Sequence, residues 1–325
     1  MSLRVKNALF LSLGLVTAIP TILPAVAASA TSIRPSWQEF VVLFGILGNV
    51  HVGMTGFFFV AEPRYQPILR DNPLRYFWLP GLCMGGALAL FLYSPEGFWL
   101  YFLLHYAWLL WHFGRQNFGL YAFVASANRS GAPTSIERAF FSLLPVAAIP
   151  KAWTIYPDIG LGPEIIPWLV GVSWTLAFLC GWLLLAILRD PRIRADWRRC
   201  LAVALSVGFF LPTLLSSDPA VALAFFAHPL QYIVMMLYLA GDRKQGRLLP
   251  RFAWLVTTGA ALWAAIHFTQ GPFAGLSLAL AFGVTQIHIL VDAGVWRLAL
   301  APQRRIIADS FDFLFTPPRT ATAIP

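Results

Sequence analysis

The chain has 325 residues, of which 58% are apolar, 15% aromatic and only 11% charged. A soluble domain is about 45–50% apolar and about 25% charged, so this composition excludes a soluble globular enzyme, a disordered chain and a secreted disulfide scaffold, and describes a polytopic membrane protein. The net charge of +9 does not point to nucleic acid, because the cations stand in short loops between apolar runs rather than in one patch.

Ten apolar runs follow in chain order, at 7–29, 37–60, 76–94, 98–125, 139–156, 164–188, 199–215, 219–240, 252–270 and 272–298. Several are near the ~20 residues a helix needs to cross the hydrocarbon, and a spanning backbone with no water to bond must be helical. The expected fold is an all-α integral membrane bundle of about ten transmembrane helices. Residues 1–30 have two readings. Arg4 and Lys6 precede an apolar stretch ending Ala25-Val26-Ala27-Ala28-Ser29-Ala30, the form of a signal peptide with a small-residue cleavage site. The alternative is an uncleaved first helix carrying Pro20 and Pro24. The fifth run is short and holds Pro145 and Pro150, so a broken or partly inserted helix is expected there. Residues 31–300 form one polytopic domain. Residues 301–325 form a short cytoplasmic tail, expected to lie on the membrane surface through Phe311, Phe313 and Phe315.

The cations test this alternation. With the N-terminus inside, twenty of the 23 Lys and Arg residues fall in inside segments, Arg34 and Lys151 fall outside, and Arg115 lies within a span. That asymmetry places both termini on the cytoplasmic side of the membrane. The Arg192-to-Arg199 loop then reads as a topology signal, and Tyr121 and Tyr238 as interfacial belt residues. Gly48 and Gly85-Gly86 are expected to let helices approach closely. Met235 and Met236 are expected to face lipid or the core rather than a metal. Cys83, Cys180 and Cys200 are scattered with no CxxC pair, so neither a disulfide framework nor a thiolate metal site is expected.

All six histidines (His51, His105, His112, His228, His267 and His288) fall inside apolar runs. An ionisable residue in a membrane helix is costly and marks a candidate functional site. His51, His112 and His228 stand 13, 17 and 15 residues before the first loop cation on their inner side, and His288 stands 9 before Arg297. Counted instead to Arg304, with Arg297 taken as inside the helix end, His288 stands 16 residues away, and at about 1.5 Å per residue the four depths then agree to about one turn, so four imidazoles are expected in one layer near mid-membrane as metal ligands. His105 and His267 lie nearer the outer face and are expected to form a second pair or to line a route to the site. Polar companions share these helical faces: Gln116 four residues after His112, Gln231 and Tyr232 after His228, Asp292 four after His288, and Thr55 four after His51. Asp292 is expected to accept the second N–H of a ligated imidazole, or to ligate directly. Gln116 and Gln231 are expected behind the ligands. Tyr232 would position dioxygen or donate a proton. Arg115 is expected on the stripe of His105, Trp108, His112 and Gly119, where it would balance Asp292 or Glu62 or orient an anionic or carbonyl group.

Imidazole suits zinc, copper, iron and nickel. The near-absence of thiolates disfavours copper(I), and the few inward carboxylates disfavour a di-iron carboxylate centre. Zinc hydrolysis lacks an H-E-x-x-H pattern. The expectation is a histidine-ligated non-haem iron oxygenase or hydroxylase acting on a lipid-soluble substrate. The alternatives are a b-haem or quinone-linked electron-transfer protein, and a transporter using its histidines as proton relays. Expected partners are membrane lipids, the lipid-soluble substrate and a redox partner, with no nucleic acid.

Three stretches carry a resemblance: Trp111 to Gly119 with H-x-x-R-Q, His228 to Tyr232 with H-x-x-Q-Y, and His288 to Arg297 with H-x-x-x-D-x-x-[IV]-W-[RK]. Together they resemble an uncharacterised family of bacterial polytopic membrane proteins, over most of the chain. More distantly, the plan is similar to the Brp/Blh-type membrane β-carotene dioxygenases, which coordinate iron through histidines on several transmembrane helices. The paired H-x-x-x-H expected of that group is missing here, so carotenoid cleavage does not carry over.

Overall fold

The computed structural model describes residues 3–29, 47–48, 50–56, 59, 62–127, 131–155, 161–216, 219–240, 250, 253, 256–257, 259, 274–311 and 314. The expected runs at 37–60 and 252–270 lie largely or wholly outside these residues. The described elements are all helical. α1 is Leu3–Ser29, and a 3-10 turn at Pro63–Tyr65 leads into α2, Gln66–Asp71. A π-helical turn, Leu74–Trp78, runs into α3, Leu79–Tyr93. Then follow α4 (Pro95–Ala127), α5 (Ser135–Trp153) and α6 (Ile166–Arg189). A short α7 (Pro191–Arg194) precedes α8, Trp197–Leu215. A 3-10 helix at Pro219–Phe226 continues into α9 (Ala227–Ala240), and α10 (Ala274–Val295) and α11 (Ala301–Ser310) close the described chain.

Among the described residues, five helical stretches are long and apolar enough to cross a membrane: Asn7–Pro24, Leu74–Tyr93, Ile166–Arg189, Trp197–Leu215 and Val221–Leu239. They mark the chain as a membrane protein. Burial sorts them. Of Val221–Leu239, 72% is buried, against 17% of Ile166–Arg189. α9 is thus the central helix and α6 a peripheral one. Trp168, Phe178 and Trp182 on α6 are 76%, 75% and 66% exposed, an apolar surface that water would penalise and lipid does not.

Two buried clusters make up the core. One joins α1, the 62–71 segment, α9, the end of α10 and α11, through Leu9, Tyr65, Met236, Val295, Ile307 and Phe311. The other joins α4, α5, α8 and the 3-10 helix before α9, through Phe113, Phe140, Phe209 and Phe225. Of the two places expected for Met235 and Met236, lipid or core, the fold gives both the core. Polar caps set several helix starts. Thr134 and Glu137 form a reciprocal capping box on α5. Asp190 and Asp196 cap α7 and α8. The Arg192 side chain beside Asp190 bonds its carboxylate and holds it down to about 2.

Several expectations are corrected. α5 is not broken: it runs through both Pro145 and Pro150, as helices in a packed membrane bundle can when their neighbours support the backbone around a proline; the Pro145 ring packs against the Cβ-less face of Gly114 on α4. Phe311 is fully buried against Phe123 rather than lying on a membrane surface; α11 turns Ile306, Ile307 and Phe311 inward, so the protein supplies their apolar partner. Phe313 and Phe315 lie outside the described residues. Among the described residues, Gly48, Gly85 and Gly86 have nothing within 4 Å of a built Cβ, so their own faces meet no neighbour. Tyr121 and Arg199, expected at the interface and in a loop, are both buried. They meet Glu137 in a cluster where the Arg199 guanidinium and the Tyr121 hydroxyl both bond its carboxylate.

The close helix contacts are instead at Gly283 of α10, against Met84 of α3, and at Gly114. A Cβ there would collide with the Pro145 ring. Gly114→Ala is therefore expected to lower stability by about 1–3 kcal/mol, the cost of overpacking a filled interior, read as a fall in melting temperature of the solubilised protein. An unchanged melting temperature would show that α4 and α5 separate easily.

Candidate metal centre

Four segments bring four histidines together between the two core clusters. His51 lies on the helical residues 50–54, His112 on α4, His228 in the first turn of α9, and His288 on α10. Each is buried, with 1–4% of its surface exposed. His228 sits where the 3-10 helix becomes α-helical. Pro229 beside it is tolerated because a first-turn residue has no intrahelical N–H partner to lose. His288 and Asp292 are four residues apart and so share one face of α10.

The rings pack edge to face. Ring centroids lie 4.1 Å apart for His51 and His288, 4.5 Å for His51 and His228, 4.9 Å for His112 and His228, and 5.2 Å for His112 and His288. Tyr232 stands 4.7 Å from His51, and Phe113 lies 4.4 Å from His228. One potential ligand atom from each of His51, His228 and His288 falls within 4.8 Å of the others, and so does one from each of His112, His288 and Asp292. His112 Nε2 is 4.0 Å from Asp292 Oδ2.

The hydrogen bonding of this group is unusual. His51 Nε2, His112 Nε2, both nitrogens of His228, His288 Nε2 and Asp292 Oδ1 are buried and have no hydrogen-bond partner among the described residues. Most buried polar side-chain atoms are bonded, and each that is not costs about 1–3 kcal/mol. Five imidazole nitrogens and a carboxylate oxygen in one small volume are the donor set a cation would satisfy. The remaining bonds orient the rings. Thr55 Oγ1 lies 2.6 Å from His288 Nδ1 and leaves Nε2 facing the cluster. The His51 ring bonds the Gly48 backbone, which likewise leaves Nε2 free. Such outer bonds fix ring tautomer and direction in metal sites.

Behind His228 lies a polar knot. Gln116 Nε2 donates to the His228 carbonyl at 3.1 Å and to Gln231 Oε1 at 2.9 Å. Gln231 Nε2 donates to Thr17 Oγ1 at 2.9 Å and to Asn117 Oδ1 at 3.2 Å. Gln116 and Gln231 therefore stand behind the cluster, where the sequence places them. Thr17 and Asn117 were not singled out by sequence. A hydroxyl and an amide inside apolar runs were the only signal.

Three expectations fare differently. Arg115 is not in the site. It is exposed, and its guanidinium stacks over Phe118 at 5.1 Å. A residue three places along a helix sits about 60° round from the first, enough to carry Arg115 out of the interior while His112 stays in. Its two expected counter-charges are occupied elsewhere among the described residues: Glu62 pairs with Arg64 at 2.8 Å, and Asp292 faces His112. His105 is buried on the His112 helix but apart from the four-histidine group, 4.5 Å from the Phe282 ring. His267 lies outside the described residues.

No protein-family model, no curated protein and no solved structure matches this chain. Fold and site together define an all-helical membrane protein with a buried histidine cluster able to hold a metal ion.

Proposed function

We propose that the chain is an integral-membrane, histidine-ligated non-haem iron enzyme, an oxygenase or hydroxylase acting on a lipid-soluble substrate. One observation carries the reading: His112, His288 and Asp292 offer two imidazoles and one carboxylate within 4.8 Å of one another. Two histidines and one carboxylate with further positions open is the ligand set of non-haem iron(II) oxygenases. His51 and His228 stand beside it, and both three-residue groups use His288. His288 has one free nitrogen, because the other meets Thr55. A single nitrogen serves one ion, so the two groups describe one mononuclear centre.

Iron bound there would supply dioxygen chemistry. Hydroxylation puts one oxygen atom of dioxygen into a C–H bond; the other leaves as water, taking two protons and two electrons from a redox partner. The chain's own contribution is placement and exclusion of water. Thr55 and Gly48 aim the rings, the Gln116–Gln231 pair holds the His228 backbone, and Phe113 and Tyr232 close the sides. The b-haem alternative is weaker, because edge-to-face rings at 4.1–5.2 Å leave no slot for a flat macrocycle. Ten crossings, with both termini on the cytoplasmic side of a bacterial inner membrane, complete the proposal.

Elemental analysis of the purified protein beside its visible spectrum tests it. The expected result is about one iron per chain with no Soret band, since two imidazoles and one carboxylate with further positions open suit non-haem iron(II). A Soret band would replace the centre by haem, stoichiometric zinc would point to hydrolysis, and absence of metal under iron-replete growth would end the metalloenzyme reading.

A further inference from the structure

Asp292 supplies the carboxylate of the histidine cluster, and three side chains surround it. His112 Nε2 lies 4.0 Å from its Oδ2. The Tyr232 hydroxyl and the Trp296 indole N–H face the same carboxylate as hydrogen-bond donors. Helical register brings both donors there. Trp296 follows Asp292 by four residues, and its backbone N–H closes on the Asp292 carbonyl at 3.1 Å, so the two side chains leave α10 on one face. Tyr232 follows His228 by four residues on α9, which sets its ring against the imidazoles. It stands 4.7 Å from the His51 ring, 5.6 Å from that of His288 and 6.2 Å from that of Trp296.

A donor and an acceptor in this group are left over. Tyr232 Oη and Asp292 Oδ1 are both buried, and neither closes a hydrogen bond among the described residues. Buried polar atoms are nearly always bonded, because leaving one unmade forfeits its hydration. Asp292 turns Oδ2 toward His112, so Oδ1 is the oxygen that remains for the phenol. The phenol also faces the Thr55 hydroxyl, and Thr55 Oγ1 lies 2.6 Å from His288 Nδ1. Tyr232 thus stands between the supports of two candidate ligands, His288 through Thr55 and Asp292 itself.

We propose that Tyr232 and Trp296 are positioning residues of the metal centre. They hold the Asp292 carboxylate so that Oδ2 alone meets the ion while Oδ1 accepts from the phenol. The proposal rests on the metal reading of the site and deepens it. A carboxylate that binds through one oxygen leaves a further position open on the ion, as the two-histidine, one-carboxylate iron sites require. Ligating carboxylates in metal sites are themselves hydrogen-bonded, and such outer partners tune the affinity of the site. The assignment also gives a task to the tyrosine of H-x-x-Q-Y and to the tryptophan four residues after Asp292, neither of which is needed as a ligand.

The test loads the purified full chain with cobalt(II), whose visible spectrum reports the number and kind of its ligands, and measures affinity by competition with a chelator. Wild type is expected to bind about one cobalt per chain, the single centre that two imidazoles and one carboxylate define. Tyr232→Phe and Trp296→Phe keep every ligand atom. Each is expected to weaken cobalt about tenfold, the lower end of what such outer bonds contribute, and to shift the cobalt spectrum as the carboxylate turns. In an Asp292→Ala background neither is expected to weaken cobalt further, because the group they position is gone. Should Asp292→Ala fail to fold, the spectra of the two single variants decide. Affinity and spectrum unchanged in Tyr232→Phe or in Trp296→Phe, or losses that add to that of Asp292→Ala, would overturn the proposal. A visible charge-transfer band in the iron(III)-loaded chain that vanishes in Tyr232→Phe would overturn it too, by making the phenol a ligand. The two failures are distinct. No cobalt uptake by wild type removes the metal centre and this proposal together, whereas uptake insensitive to both variants removes this proposal alone.

Discussion

His288→Ala is expected to remove essentially all bound metal from the purified protein, the largest loss of any single histidine substitution. His288 belongs to both three-residue donor groups, so its loss leaves neither intact. His112→Ala or His51→Ala removes a member of one group only and is expected to lower metal content less. Thr55→Val separates a ligand from its support. It leaves every donor atom in place and deletes only the bond at His288 Nδ1. Outer bonds of this kind are worth about 10–100-fold in metal affinity, so the dissociation constant is expected to rise by that factor. His105→Ala is the control and is expected to keep full metal content, because His105 contacts Phe282 and not the cluster. Elemental analysis of the set, and a competition titration for Thr55→Val, provide the readings. Metal content unaffected by His288→Ala would rule out the centre. Chelator treatment gives a parallel reading: metal bound to the folded form alone stabilises it by mass action, so stripping is expected to lower the melting temperature of wild type but not of His288→Ala.

The second large effect is expected at Arg199. Its side chain is 2% exposed and that of Glu137 1%, and the two are ion-paired. Arg199 Nε also donates to Tyr121 at 3.0 Å. This joins α4, α5 and α8 through one buried charge pair. Two charges taken out of water recover their desolvation only from each other, so deleting one strands the other. Glu137→Leu or Arg199→Met alone is expected to cost about 3–5 kcal/mol. The double replacement is expected to recover most of that loss, because it leaves no buried charge. A thermal-denaturation double-mutant cycle on the solubilised protein measures the coupling. Additive losses would mean that the two charges act independently.

The histidine layer could be read from sequence because depth in a membrane helix is countable. Four imidazoles at similar distances from flanking cations meet if their helices are neighbours, and these do. Asp292 was legible for a similar reason: four residues along a helix return to the same face. The helical register did not decide Arg115. Its position lies near the edge of the His112 face, and whether that edge is covered depends on which helix packs there. The signal at Arg199 pointed the other way, since an arginine at a loop edge is most simply a topology residue. Only the fold shows Glu137 and Tyr121 waiting for it. Thr17 on the first helix reaches the knot behind His228 across more than two hundred residues of sequence, a contact no local pattern encodes.

Composition alone determined the class, because 11% charged residues cannot cover a water-facing surface. It determined helicity too, because lipid offers the backbone no hydrogen bonds. Patterning placed the histidines in the interior and Asp292 beside His288. The tertiary structure decided what those residues are to one another. It grouped four rings and a carboxylate, left their free nitrogens facing one volume, tied two rings to Thr55 and Gly48, and sent Arg115 outward. The physical reason is that burial and helical face are local properties of a chain, whereas partnership depends on which helices pack together, and in an apolar bundle many packings satisfy the same local pattern.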